Sequence, residues 1–185
     1  METISRQKGI VDMLLKELWN ADIEKAYDLF MEFPSCDNGF ENIAYGKSLE
    51  EFRDLVEIKR LNSVGKALPE GFVPDTVFIL MNDDGDYVGV FNFRHVLNSF
   101  LASGPGHIGY GISPRFRGRG YATEGLKLLV RNVSKLIDEN EFYLSCDKNN
   151  PASLKVQKNA GGRVHHESDT QYFVRIPKYQ FRTIL

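Results

Sequence analysis

The sequence predicts one α/β domain spanning residues 1–185, with a single mixed, largely antiparallel central sheet flanked by helices. Three observations predict it. Strand-like runs and helical apolar stripes alternate along the chain, with no internal repeat and no low-complexity tract. Two of the runs are joined by Asn82-Asp83-Asp84-Gly85-Asp86, a hairpin signal of the Asp-Gly kind. The second half reads strand, helix, strand, helix and then two strands, an order that lays helices on a sheet. A chain of 185 residues is long enough to bury a real core in one domain.

Met13 to Trp19 is expected to be the first strand, and Asn20-Ala21-Asp22 leads into a helix through about Phe33. Ile23, Ala26, Leu29 and Phe30 recur on one face of it at helical spacing. Phe33-Pro34-Ser35-Cys36-Asp37-Asn38-Gly39 reads as a loop by composition. A second helix spans Ser48 to Asn62, with Phe52, Leu55, Val56, Ile58 and Leu61 inward, and Ser48 with Glu51 forms a capping-box pattern. Gly65 to Asp75 is loop-like. Thr76 to Met81 and Tyr87 to Phe93 are the hairpin strands, and Leu97 to Gly106, with its Gly-Pro-Gly, is a connector. A strand at Ile108 precedes a long helix from about Gly120 to Ile137, whose Leu126, Leu129, Val130, Val133 and Ile137 make one apolar stripe. Glu141 to Gly162 is a strand, an Asn-Asn-Pro break and a short helix ending at Gly161-Gly162. Arg163 to His166 and Gln171 to Pro177 close the fold as an antiparallel pair.

Composition excludes several classes. A net charge of −2 supplies no general drive toward nucleic acid or anionic membrane, so neither is an expected partner. Cys36 and Cys146 have no metal-ligand spacing and are too few for a disulfide scaffold; no metal is expected. Cys146 reads as a buried small hydrophobe. Asp12, Lys16 and Glu17 interrupt the first apolar stretch, and no run approaches transmembrane length. A cytoplasmic protein is the expectation.

The most informative stretch is Gly106 to Thr123, GHIGYGISPRFRGRGYAT. Gly118 and Gly120 allow a sharp turn and close approach of a ligand to the backbone. The helix that follows presents unpartnered N–H groups at its positive end, a ready anion site. Arg115, Arg117 and Arg119 add guanidinium groups whose geometry suits phosphate oxygens. A pyrophosphate-bearing ligand is expected. A dinucleotide fingerprint fails because Thr123 stands at its third glycine, and a Walker A loop fails because Leu126 stands at its lysine.

What remains, Arg115-x-x-Gly118-x-Gly120 followed by Tyr121-Ala122, resembles the coenzyme A pyrophosphate loop of the GNAT superfamily of acetyltransferases. Asn150-Pro151-Ala152-Ser153, ending at Gly161, is similar to that family's later Asn-x-x-Ser helix. Arg94-His95, Gly106 to Tyr110 and Asn150 to Gly162 resemble a predicted-acetyltransferase branch from bacteria. The resemblance covers roughly Phe72 to Gly162 well and the N-terminal third weakly.

The resemblance implies a GNAT-like fold and acetyl-CoA as acyl donor, held by Ile112, Ser113, Arg115, Arg117, Gly118, Arg119, Gly120, Tyr121, Ala122, Thr123, Asn150 and Ser153. It lays the pantetheine arm along the Ile108–Ile112 strand, whose Gly109 and Gly111 leave one face nearly bare. It implies acetyl transfer to an amine, a small molecule or a peptide, by direct attack in a ternary complex; the two N-terminal helices would wall the acceptor pocket. An aliphatic ammonium with a pKa of about 10 must lose a proton before it attacks. His107, which shares strand parity with Gly109 and Gly111, is the first candidate base and His95 the second.

One position departs from the family. The tyrosine that many members use to protonate the leaving thiolate is Gln157 here, and Asn150 to Gly162 contains no tyrosine. Another group serves, or water is the acid, or the chemistry is mostly positioning. A non-catalytic acyl-CoA-binding sensor or regulatory module is the alternative function, a mononucleotide-binding domain is a weaker third, and a homodimer is left open.

Overall fold

The computed structural model describes residues 13–66 and 68–178. In chain order the elements are β1 (Leu14–Glu17), α1 (Ile23–Met31), β2 (Cys36–Asp37), β3 (Phe40–Glu41), α2 (Leu49–Ser63), β4 (Asp75–Met81), β5 (Tyr87–Arg94), α3 (Ser99–Ser103), β6 (Ile108–Ile112), α4 (Tyr121–Val133), β7 (Glu141–Asp147), α5 (Pro151–Asn159), β8 (Arg163–Glu167) and β9 (Gln171–Pro177). The central sheet has two leaves, β1-β4-β5-β6 and β7-β9-β8, and every strand pairing within them is antiparallel.

Strand alternation separates two cores. On β4, Val77 and Ile79 point toward α1 and α2, where they meet Ala26, Phe30, Phe52 and Val90. Leu80 points the other way, with Phe91 and Phe93, onto α4. The α4 stripe predicted from spacing is buried there: Leu126, Leu129 and Val130 are each fully inaccessible. Burying a side chain of this size contributes about 1.5–3 kcal/mol, so the stripe fixes α4 firmly on the sheet. Phe142 and Leu144 of β7 and Val174 of β9 join the same core, which therefore spans both leaves.

Local capping sets the helix starts. The Asp22 side chain accepts the N–H groups of Glu24 and Lys25, and α1 begins at Ile23. Ser48 and Glu51 complete the predicted capping box at α2.

Several expectations are corrected. The first strand stops at Glu17, because Leu18–Asn20 winds into a 3₁₀ turn. Helix α1 ends at Met31 and α4 at Val133; Ile137 is buried, but beyond the helix. Ile58 is exposed, since it lies on the outer face of α2. The Leu97–Gly106 connector contains α3, whose start is capped by Asn98. The Cys36–Gly39 stretch is not a plain loop. It opens the β2–β3 hairpin, in which Asn38 and Gly39 both adopt positive φ, 50° and 87°. That is the conformation an Asn-Gly hairpin turn requires.

Candidate active site

The site arises where the two leaves meet and part. Gly106 forms an isolated bridge to Leu144, and the His107 N–H donates to the Tyr143 carbonyl at 2.7 Å. Beyond this junction β6 and β7 are not paired, and the gap between them is a wedge-shaped cavity of about 670 Å³. Ile108 to Ile112 form one wall, Ser145 to Asp147 another, and α5 contributes Ser153, Val156 and Gln157. The turn from Phe116 to Thr123 borders it, and the β2–β3 hairpin covers part of its mouth with Asp37 to Phe40. The volume suits a sizeable organic ligand.

The predicted anion turn has the backbone its glycines implied. Gly118 and Gly120 adopt φ of +77° and +87°, and Gly120 is the N-terminal cap of α4 without any side chain capping it. Tyr121, Ala122 and Thr123, the first residues of α4, line the cavity, so the positive end of the helix borders it. A Cβ at Gly118 or Gly120 would meet no atom within 4 Å. Glycine is therefore used here for its backbone conformation and for ligand access, not for packing.

The bare face of β6 divides in two. A Cβ at Gly111 would collide with Phe40 and Phe33, at 2.9 and 3.1 Å, so that glycine admits the hairpin's aromatic side chain. A Cβ at Gly109 would meet nothing within 4 Å, so the open part of the wedge lies there.

Nine of the twelve expected cofactor residues line the cavity: Ile112, Arg117, Gly118, Gly120, Tyr121, Ala122, Thr123, Asn150 and Ser153. Three do not. Ser113 is fully buried and donates to Glu32, Arg115 pairs with the same carboxylate at 2.8 Å, and Arg119 lies over the Phe116 ring at 5.6 Å. Glu32 follows the last turn of α1, and its charge draws Arg115 away from the turn. Arg117 stays at the cavity, donating to the Ile112 carbonyl at 2.9 Å and pairing with Asp37 of the hairpin. Asn150 caps α5 by accepting the Ser153 N–H at 3.0 Å and donates to the Asn38 carbonyl at 3.1 Å.

Neither candidate base is in the cavity. His107 is fully buried at the junction, with Nδ1 accepting the Tyr143 N–H at 3.0 Å and Nε2 3.3 Å from Glu139. Burial holds its pKa below the ordinary value, outweighing the opposing pull of Glu139. The parity argument failed because the bridge between the leaves closes over His107 before the wedge opens. His95 makes a 2.9 Å contact with the Thr76 hydroxyl, away from the cavity, and burial lowers its pKa despite Asp75. Cys146 is buried as expected, and burial pushes its thiol pKa up, which keeps it a poor nucleophile.

Sequence reasoning singled out Gln157 but missed Tyr110, Asp37 and Asp147 as members. Tyr110 emerges from β6, stacks on Phe91 at 5.6 Å between ring centroids and crosses to α5, where its hydroxyl lies 2.9 Å from Ser153 Oγ. Gln157, 1% exposed, donates to the Ser145 carbonyl at 3.1 Å and to Ser153 Oγ at 3.2 Å, while its Oε1 is buried without a partner. Asp37 and Asp147 bring carboxylates to the mouth. The Asn38-Gly39 dipeptide was a readable signal for the hairpin; nothing local pointed to Asp147. Among the described residues no group of three His, Cys, Asp or Glu side chains is placed to hold a metal, and no helix is long and apolar enough to cross a membrane.

A sequence model of the acetyltransferase (GNAT) domain matches residues 13–163. The chain belongs to the GNAT acetyltransferase family and is an acetyltransferase. No protein of curated function matches it by sequence. Solved structures share its fold. The Vibrio cholerae spermidine N-acetyltransferase in complex with CoA and spermine is 14% identical, covers 91% of this chain and 97% of its own, and has a TM-score of 0.59. A GNAT-family acetyltransferase from Bacillus anthracis is 16% identical over 90% and 95%, with a TM-score of 0.60. The ribosomal L7/L12 alpha-N-protein acetyltransferase RimL is 15% identical over 94% and 98%, with a TM-score of 0.61.

Proposed function

We propose that this acetyltransferase moves an acetyl group from acetyl-CoA to an amine by direct attack within a ternary complex. The observation that carries the reading is the wedge between β6 and β7, with the uncapped N-terminus of α4 on its border. A pyrophosphate at Gly118–Thr123 would accept the free N–H groups of α4, and the pantetheine arm would run past Gly109, where the wedge is open. The thioester then lies near the narrow end, walled by Tyr110, Ser145 and Gln157.

An acceptor entering past the hairpin meets Asp147, which accepts from Gln171 at 2.9 Å and pairs with no Lys or Arg among the described residues. An uncompensated carboxylate at the mouth favours a cationic amine. With both histidines outside the cavity, the acceptor's proton passes to water or to Asp147 before the nitrogen attacks. Holding thioester and amine together in one wedge supplies much of the acceleration as orientation. The relative active on spermidine and the one active on a protein N-terminus represent the two kinds of amine to test.

The experiment is calorimetry with acetyl-CoA and NAD, followed by thiol release with spermidine, small primary amines and a peptide with a free N-terminus. Binding of acetyl-CoA without NAD, and thiol release dependent on one of these amines, is expected. Tight NAD binding, or acetyl-CoA binding with no amine-dependent release, would overturn the reading; the latter result is that of an acyl-CoA sensor.

A further inference from the structure

We propose that Tyr110, aimed by Ser153 and Gln157, donates the hydrogen bond that stabilises the leaving thiolate. The inference rests on the acetyl transfer proposed above and supplies what it lacks, since position 157 holds a glutamine that cannot act as an acid.

The geometry makes the hydroxyl available. Gln157 Nε2 donates to Ser153 Oγ at 3.2 Å, so that oxygen is held from one side by a fixed N–H. Ser153 Oγ can then donate its own hydrogen to the Tyr110 oxygen, 2.9 Å away, and the phenolic hydrogen is released to point into the cavity. Without a ligand the same hydrogen has a resting acceptor in the Ser153 carbonyl at 3.3 Å. Two settings of one O–H bond, resting and donating, are thus built into the wall. The ring needs no rotation between them, because its stacking on Phe91 fixes it.

The chemistry suits the group. Burial pushes the Tyr110 pKa up to about 12, so the phenol stays protonated across the working range of pH and meets the sulfur as a hydrogen-bond donor, not as an acid. When the tetrahedral intermediate collapses, the carbon–sulfur bond breaks and its electron pair goes to sulfur. Tyr110 hydrogen-bonds that sulfur as charge develops, and keeps its proton, because a phenol near 12 is a weaker acid than a thiol. The thiolate takes up through solvent the proton the acceptor nitrogen has shed, so amine and thioester become amide and free thiol with the enzyme unchanged.

The test compares Tyr110→Phe and Ser153→Ala with wild type on two donors, acetyl-CoA and the acetyl thioester of an aromatic thiol that departs without a proton. The acceptor is the fastest amine found above, or water if hydrolysis alone is seen. Tyr110→Phe keeps the ring and should slow kcat with acetyl-CoA by about a hundredfold, within the range for removing one hydrogen-bond donor to developing charge. Acetyl-CoA affinity should change by less than about threefold. On the aromatic thioester the variant should come within about threefold of wild type. Ser153→Ala should show the same dependence of kcat on the donor, at about tenfold.

Rates equal to wild type on acetyl-CoA, or equal losses on both donors, would overturn the role. The first outcome means Tyr110 gives the sulfur no hydrogen bond; the second means a packing effect. If wild type releases thiol from neither amine nor water, the acetyl-transfer reading itself falls, and this inference with it.

Discussion

His107 Nδ1 accepts the backbone N–H of Tyr143 at 3.0 Å, and this bond together with the His107 N–H to the Tyr143 carbonyl ties the two leaves of the sheet at the closed end of the wedge. The imidazole is a hinge pin of the architecture, packed edge-on against Phe142 and Tyr143. Its loss empties a buried volume and strands a buried N–H.

His107→Ala should therefore destabilise the protein by on the order of 3 kcal/mol, read as a lower denaturation midpoint. Turnover per folded molecule should stay within about threefold of wild type, unlike the loss expected for a base.

The same burial makes stability depend on pH. The folded pKa of His107 lies below its ordinary value, so the unfolded chain binds the proton more readily. Its contribution is fully present above about pH 6.5 and is lost as the pH falls toward the lower folded pKa. Denaturation midpoints of wild type should decline over that window, and His107→Asn should flatten the decline. Parallel slopes would show that other groups govern it.

Gly106 and Gly109 stand three residues apart and should respond oppositely. A Cβ at Gly106 would lie 2.1 Å from the Tyr143 carbonyl oxygen, on a backbone with φ of +70°. Gly106→Ala should cost about 3 kcal/mol or more, through strain and overpacking. Gly109→Val meets no crowding, so thermal stability should change little. Its side chain enters the open wedge, and acetyl-CoA affinity should fall at least tenfold by calorimetry.

At Gly120 strain and access separate by comparing two variants. Asn tolerates the left-handed region and Val does not. Gly120→Asn should fold near wild-type stability, while Gly120→Val should lose about 1–2 kcal/mol. Acetyl-CoA titration should show the weaker binding in Val, and equal binding in both would exclude the turn from cofactor contact.

Arg117 pairs with Asp37 beside the Gly118–Thr123 turn. Asp37→Asn removes a negative charge close to the proposed pyrophosphate position and frees the guanidinium. A gain of about 1 kcal/mol, roughly fivefold in acetyl-CoA affinity, is expected at low ionic strength. The gain should shrink with added salt.

Much of the Gly118–Thr123 turn was legible because its determinants are neighbours in the chain. Positive φ at Gly118 and Gly120, the absence of a cap and the start of α4 all follow from a few consecutive residues. The capping box at Ser48 and the stripe of α4 were legible for the same reason. Even the missed hairpin carried its own signal in Asn38-Gly39.

Side-chain fates were decided elsewhere. Arg115 and Arg117 look alike in sequence, yet one is drawn to Glu32 and the other holds Asp37, each some eighty residues away. His107 has the parity of Gly109, yet β7 closes on it and not on the glycine. Tyr110 finds Ser153 across the wedge, 43 residues along the chain. Sequence by itself determined most of the elements and the backbone of the Gly118–Thr123 turn, because backbone conformation and capping act over a few residues. Tertiary structure alone decided which side chains face the cavity, because that depends on where two separately formed sheet leaves touch and where they part.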